Sequence, residues 1–388
     1  MDVLALKKFF TARFGEGRTL HTYTSPGRVN LIGEHTDYNG GFVFPAAITL
    51  GTTIIARKRQ DKILRMCATD LDAVVEADLM RADQYTSLSW GNYQVGVASE
   101  LIKDGIDVCG CDLLYHDTTP HGGGLSSSAA IEVATALCLY HLSTEKMPDM
   151  AHMAVIGQRA ENNYVGVACG IMDQFASAMG KRDHAIQLCC KDLSYELVPL
   201  SLGSTRIVIT NTNKKRSLVT SKYNERRAEC EEALHDLKKG LPDIEFLGTL
   251  SPETFIRHAD AIQNPTVRKR AQHVVEECDR VHKSVSALRA GNLALFGSLM
   301  NDSHASLRDL YEVTGPELDA LADAAKVQPG CLGSRMTGAG FGGCTVSLVE
   351  DAYVEAFREK VARIYTEKIG YAPSFYVTDA GDGGRILE

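Results

Sequence analysis

The spacing of apolar positions changes along the chain and divides it into helical and extended segments. Residues 2–14 carry an amphipathic pattern that predicts a first helix. Val29, Leu31 and Ile32 mark a short buried strand, and strand-like runs at 49–57, 63–67 and 73–77 make residues 42–80 β-rich. A helix is expected after Trp90, through Ile102. Ile131, Val133, Ala134, Leu137 and Leu139 fall on helical spacing, and residues 150–164 read as the next helix. Ile171, Phe175 and Met179 predict another, which places Asp173 in its first turn. From about Lys181 the pattern restarts. Strands are expected at 186–190, 195–198 and 207–212, then a charged helix at 217–237 carrying Tyr223. Residues 252–290 read as charged helix with one solvated face, and 291–327 as further helix. A glycine loop then runs into a strand at 344–349, followed by a helix at 351–369 and a last strand at 374–378. No Pro-rich linker, low-complexity segment or solenoid repeat interrupts this order, so two closely packed α/β domains are expected.

Composition narrows the class. A chain of 388 residues exceeds one ordinary core, which also favours two domains. The net charge of −8, with no basic run, argues against nucleic-acid binding. No apolar run approaches the ~20 residues that span a bilayer; residues 129–142 come nearest but include Glu132. The N-terminus does not read as a secretion signal. Among the 11 cysteines, the close pairs Cys109/Cys111 and Cys189/Cys190 lack zinc or redox spacing. Reduced thiols in a cytoplasmic protein are expected.

Three stretches carry candidate chemistry. Gly122, Gly123 and Gly124 precede Ser126, Ser127 and Ser128 and the Ala-rich helix. The serines suit a helix N-cap. A glycine loop opening onto a helix N-terminus offers free N–H groups to an anion such as phosphate, but the same residues also suit a plain turn. Upstream, Arg28, Glu34, His35 and Asp37 fall within ten residues and are closed by Asn39-Gly40-Gly41. Such groups either pair among themselves or hydrogen-bond a polyhydroxylated ligand. Asp173 either complements its helix dipole or serves as a base. Trp90, the only tryptophan, reads by position as a core plug, although a purine also stacks on such a ring.

Several motifs are excluded. Gly338-Ala-Gly-Phe-Gly-Gly343 matches a dinucleotide fingerprint but leads into a strand instead of a helix. There is no G-x-x-x-x-G-K-[ST], no G-x-S-x-G, no His-Glu-x-x-His and no protein-kinase motif set.

Taken together and in this order, three glycine motifs resemble the GHMP kinases: Gly27–Gly41, Gly122–Ala130 and Gly338–Gly343. The first is similar to the galactokinase-family signature almost letter for letter, and Cys169-Gly-Ile-Met-Asp-Gln-Phe175 resembles that family too. The similarity runs from about Arg18 to the C-terminus. It implies an α+β, two-domain GHMP kinase fold. A mixed-sheet N-terminal domain (1–180) would carry the sugar motif and the phosphate loop. A ferredoxin-like C-terminal domain (181–388) would meet it at the active site. The implied activity is ATP-dependent phosphorylation of D-galactose at its C1 hydroxyl, with Mg²⁺ as cofactor, in a cytoplasmic monomer or weak dimer. By the same resemblance Asp173 is the acid–base and Arg28 stabilises it and the transferring phosphoryl group. Glu34, His35, Asp37, Gly170 and Tyr223 hold the sugar. Gly122, Gly123, Gly124, Leu125, Ser126, Ser127 and Ser128 wrap the ATP phosphates, and Trp90 lines the adenine pocket. Ser128 and Glu161 ligate the metal. Two other readings stay open: a kinase of this fold for N-acetylgalactosamine or arabinose, and a non-catalytic sugar and ATP sensor. His121 departs from the family pattern, which has an apolar residue there, and Lys214-Lys-Arg-Ser217 is more basic than usual.

Overall fold

The computed structural model describes residues 1–17, 19–120, 124–214 and 219–387. A six-stranded mixed sheet dominates the N-terminal half. Its order across the sheet is Arg385–Ile386, His21–Asn30, Pro45–Lys58, Cys111–Asp117, Ile63–Ala68 and Leu71–Asp78. All neighbours are antiparallel except Ile63–Ala68 beside Cys111–Asp117.

Period-two alternation sorts the side chains of this sheet. Ile54 lies opposite Tyr115, and both enter the main core under the helices Asn92–Lys103, Ser127–Thr144 and Met150–Arg159. Their neighbours Ile55 and Leu114 point the other way, onto Leu6 and Phe10 of the helix Val3–Phe14. Burying an aliphatic side chain of this size stabilises by about 1.5–3 kcal/mol, so a one-residue slip would cost both cores at once. Asp2 caps the first helix, its Oδ1 accepting the Ala5 N–H at 2.7 Å.

A second sheet is wholly antiparallel, in the order Cys331–Thr337, Cys344–Glu350, Thr205–Asn211, Ser374–Thr378. Val208 faces the helices Gly315–Lys326 and Val354–Ile369. Ile207 and Ile209 face the opposite cluster, where Val281, Phe296 and Met300 meet Val29, Leu31, Ile32 and Phe44. That cluster joins the two halves of the chain. Strands from beyond residue 180 also pair with strands before it. His184–Cys189 bonds to Phe42–Val43 and to Tyr195–Pro199, and Arg385–Ile386 bonds to Tyr23–Thr24.

Some elements differ from the sequence reading. The helix expected over 150–164 is α-helical for Met150–Arg159 and then widens into a π turn, Ala160–Val165, that carries Glu161. Cys331–Thr337 is a strand, although its glycine and serine hid the alternation; with Cys344–Glu350 it forms a hairpin around Gly338–Gly343. The helical stretch 291–327 is broken by a π turn, Leu307–Tyr311, and by Glu312 in the left-handed region at φ 56°. The stretch 252–290 is split at Asn264-Pro265, where Asn264 caps the long helix Pro265–Arg289. That helix keeps the expected solvated face, with Lys269, Lys283 and Arg289 exposed, but buries Arg270, His273 and Glu277 on the other. None of the 11 cysteines forms a disulfide. No helix among the described residues is long and apolar enough to cross a membrane.

Candidate active site

The strand His21–Asn30 shifts register against Pro45–Lys58 between Pro26 and Arg28. A bulge of this kind re-aims the residue that follows, here Arg28. Gly27 sits so close to the Leu125 carbonyl that a Cβ would collide with it. Arg28 is 3% exposed and makes a two-point ion pair with Asp173, Nε to Oδ1 at 2.8 Å and Nη2 to Oδ2 at 2.7 Å. Its Nη1 donates to the Gly124 carbonyl at 2.8 Å, which ties the pair to the glycine loop. Asp173 stands in the first turn of the helix Met172–Met179. Ser126 occupies the N-cap of Ser127–Thr144 in the left-handed region, φ 59°, but makes no capping bond. It donates its hydroxyl to Asp173 Oδ2 at 2.5 Å instead, a correction to the capping role expected for it.

Beside this pair opens a cavity of about 150 Å³. Arg28, Glu34, His35, Asp37, Gly170, Asp173 and Tyr223 all line it, together with Cys169 and the hairpin residues Gly338 and Ala339. Glu34 is almost wholly buried; its Oε2 accepts from Asn30 Nδ2 at 2.9 Å and its Oε1 from the Gly338 N–H at 2.7 Å. Burial raises the Glu34 pKa, and Arg335 and Arg28 offset part of that shift. Asp37 is pushed up to about 7, first by burial and then by the charge of Asp173. His35, at φ 60°, is lowered to about 3 by burial and by His273, so its imidazole is neutral. Its Nδ1 bonds the Tyr38 hydroxyl at 2.9 Å, and that hydroxyl meets Tyr311 at 2.7 Å. The Tyr223 ring packs on His35 and Tyr38, with centroids 5.7 and 5.3 Å away. A Cβ on Gly170 would overlap Asp37 Oδ2, so only glycine fits against that carboxylate.

The remaining described candidates do not line this cavity. Ser127 donates to Asp117 Oδ2 at 2.6 Å, and Ser128 reaches Glu161. Leu125 is buried, and its carbonyl accepts the Arg28 N–H at 3.2 Å. Gln174 Nε2 bridges Glu161 at 2.7 Å and the buried Glu132 at 2.9 Å. Glu161 is pushed up to about 7 by burial and by Asp173. Trp90 does not line the cavity: its ring packs at the edge of the N-terminal core, edge-to-face on Tyr115 at 6.1 Å, and its Nε1 makes no hydrogen bond among the described residues. Gly122 and Gly123, with His121 and Lys215–Ser217, lie outside the described residues.

Sequence reading had not singled out Asn30, Arg335, Gln174 or Glu132. Gln174 directly follows Asp173, and Asn30 precedes Glu34 by one four-residue step, so both were within reach of a closer reading. Arg335 carried no local signal, because its partners Glu34 and the Asn30 carbonyl lie about 300 residues away.

Three family models match the chain: the galactokinase galactose-binding signature at residues 8–58, the GHMP kinases N terminal domain at 92–181 and the GHMP kinases C terminal at 284–367. Galactokinase of Enterococcus faecalis is 49% identical, covering 100% of both chains. Galactokinase of Bacillus subtilis is 46% identical over 99% of this chain and 98% of its own. Among solved structures, Lactococcus lactis galactokinase complexed with galactose superposes with a TM-score of 0.96 at 46% identity, covering 99% of each chain. Methanococcus jannaschii mevalonate kinase, at 19% identity and a TM-score of 0.66 over 94% of this chain and 99% of its own, shares the fold.

Proposed function

Since the chain belongs to the galactokinase family of the GHMP kinases, we propose that it transfers the γ-phosphoryl group of ATP to the C1 hydroxyl of D-galactose. The products are galactose 1-phosphate and ADP. One observation carries this reading: the Arg28–Asp173 pair stands at the edge of a cavity walled by Glu34, His35, Asp37, Gly170 and Tyr223. Two further carboxylates and a neutral imidazole suit a ligand rich in hydroxyls.

Phosphoryl transfer depends on positioning and charge neutralisation more than on covalent help. A carboxylate offers about four acceptor sites. On Asp173, Arg28 and Ser126 take three, leaving one on Oδ1. The C1 hydroxyl donates there. As its oxygen bonds to the γ-phosphorus, the proton passes to Asp173 and the bond to the β,γ-bridging oxygen breaks, releasing ADP. Arg28 holds the carboxylate in this geometry and lends positive charge to the transferring group. Gly124 through Ser128 form a phosphate-binding loop at the start of the helix Ser127–Thr144, Gly122 and Gly123 are assigned to the ATP phosphates from the sequence motif, and Trp90 borders the adenine.

Ser128 and Glu161 are the proposed Mg²⁺ ligands. Both offer hard oxygen donors, and Glu161 is a buried carboxylate whose hydrogen-bond partners, Gln174, Cys169 and Ser128, are neutral. A cation suits that position. When bound, Mg²⁺ neutralises charge on the β- and γ-phosphates. The lobes are assigned as 1–180 and 181–388, tied by the strand pairs that cross the boundary, and the enzyme is placed in the cytoplasm.

The test is turnover with MgATP against galactose, N-acetylgalactosamine and arabinose. Galactose should give the highest kcat/KM. Exclusive use of N-acetylgalactosamine, or sugar binding without turnover, would overturn the assignment.

A further inference from the structure

The helix Pro265–Arg289 presents His273, Glu277 and Val281 to the peptide Gly33–Glu34. Steps of four place the three on one helix face. Glu277 is fully buried. Its Oε1 accepts the Gly33 N–H at 2.9 Å, the Glu34 N–H at 3.3 Å and the Ser303 hydroxyl at 2.5 Å, while its Oε2 takes Arg280 Nε at 2.7 Å. His273 is also fully buried, with Nε2 3.1 Å from the Glu34 carbonyl oxygen and Nδ1 2.8 Å from Ser306 Oγ. A carbonyl only accepts, so Nε2 carries the proton and Nδ1 accepts from Ser306. Val281 closes the grip. A Cβ on Gly33, whose φ is +96°, would stand 2.9 Å from Val281 Cγ2 and 2.7 Å from the Phe42 carbonyl oxygen.

A carboxylate serving only to hold its own helix would be satisfied by Arg280. Glu277 instead spends an oxygen on two N–H groups of a segment more than 240 residues away. Those donors are buried in irregular backbone, and a buried donor without a partner costs about 1–3 kcal/mol. The Glu34 side chain is held independently, by Asn30, Gly338 and Arg335. We propose that Glu277 and His273 are positioning residues for sugar recognition: they fix the backbone at Glu34, and with it the angle at which Glu34 and His35 enter the cavity. The proposal rests on the reading of that cavity as the sugar site.

Glu277→Ala and His273→Phe test it in the full-length enzyme. Phenylalanine keeps a ring against Tyr311, 4.5 Å away in the wild type, and removes both ring nitrogens, the donor to the Glu34 carbonyl and the acceptor for Ser306. Misplacement near 1 Å can cost up to about a hundredfold. The galactose KM should rise about tenfold in both variants, with the ATP KM within about twofold of wild type. His273→Gln, which restores an N–H donor, should recover most of the loss. Val267→Ala, on the same helix and in the cluster of Leu237 and Phe255, without a hydrogen bond to Glu34, is the control: it should lower Tm and leave the galactose KM alone. An unchanged galactose KM in both variants overturns the proposal, as does an equal rise in Val267→Ala. If Glu277→Ala does not accumulate, the histidine pair decides: no rise in His273→Phe, or no recovery in His273→Gln, overturns it. A wild-type enzyme that does not phosphorylate galactose would sink the functional reading instead.

Discussion

Ser126 Oγ lies 2.5 Å from Asp173 Oδ2, so the residue at the head of the helix Ser127–Thr144 serves the carboxylate and not its own helix. With Arg28 on the other side, Asp173 is held at three points. Asp173→Ala should lower kcat by about 10²–10⁴ while the protein stays folded, the range that one general acid–base group supplies. Ser126→Ala, which removes one of three contacts, should lose far less, about tenfold, as expected for one charge-assisted hydrogen bond. Steady-state kcat with circular dichroism decides; near-normal turnover in Asp173→Ala removes that residue from the mechanism.

Gly170 and Asp37 are so closely apposed that alanine at 170 must displace the carboxylate. Gly170 does not use a left-handed backbone, so the fold should survive. The expected result is a galactose KM raised about tenfold or more, a misplacement effect, with little change in the ATP KM. Unchanged sugar affinity would mean that Asp37 does not contact the substrate.

Burial and Asp173 raise the Asp37 pKa from 3.8 to about 7 in the folded protein. Between those values the folded chain keeps a proton that the unfolded chain releases. Stability therefore falls as pH rises across that window and levels off above it. Asp37→Asn has no such proton to lose. Its Tm, relative to wild type and without sugar, should be more favourable at pH 8 than at pH 5. Thermal melts at the two pH values check this, and an equal difference at both refutes it. Galactose binding should weaken in the same variant.

Glu161 is a buried carboxylate with neutral hydrogen-bond partners, beside Ser128. Glu161→Gln should raise the Mg²⁺ concentration for half-maximal velocity by about tenfold, the lower range seen when a metal site is weakened. Galactose binding measured by calorimetry without nucleotide should stay as in wild type. A shift in sugar binding with no change in Mg²⁺ dependence would contradict the assignment.

Much of this protein is written locally. Period-two alternation marks Ile54 and Ile55 for opposite faces of a sheet, and helical spacing after Ile171 puts Asp173 in a first turn; both follow from neighbours a few residues away. The motif around Arg28, Glu34, His35 and Asp37 was legible for the same reason, since its members fall within ten residues, at the end of one strand and in the loop that follows it. What the sequence could not determine is which groups meet across the chain. Whether Ser126 caps a helix or bonds Asp173 depends on the placement of the helix Met172–Met179. The charged pattern of Pro265–Arg289 is equally compatible with a solvated face. Only packing against Gly33–Glu34 buries Glu277 and His273, because their partners lie about 240 residues away and no local spacing encodes a contact at that range.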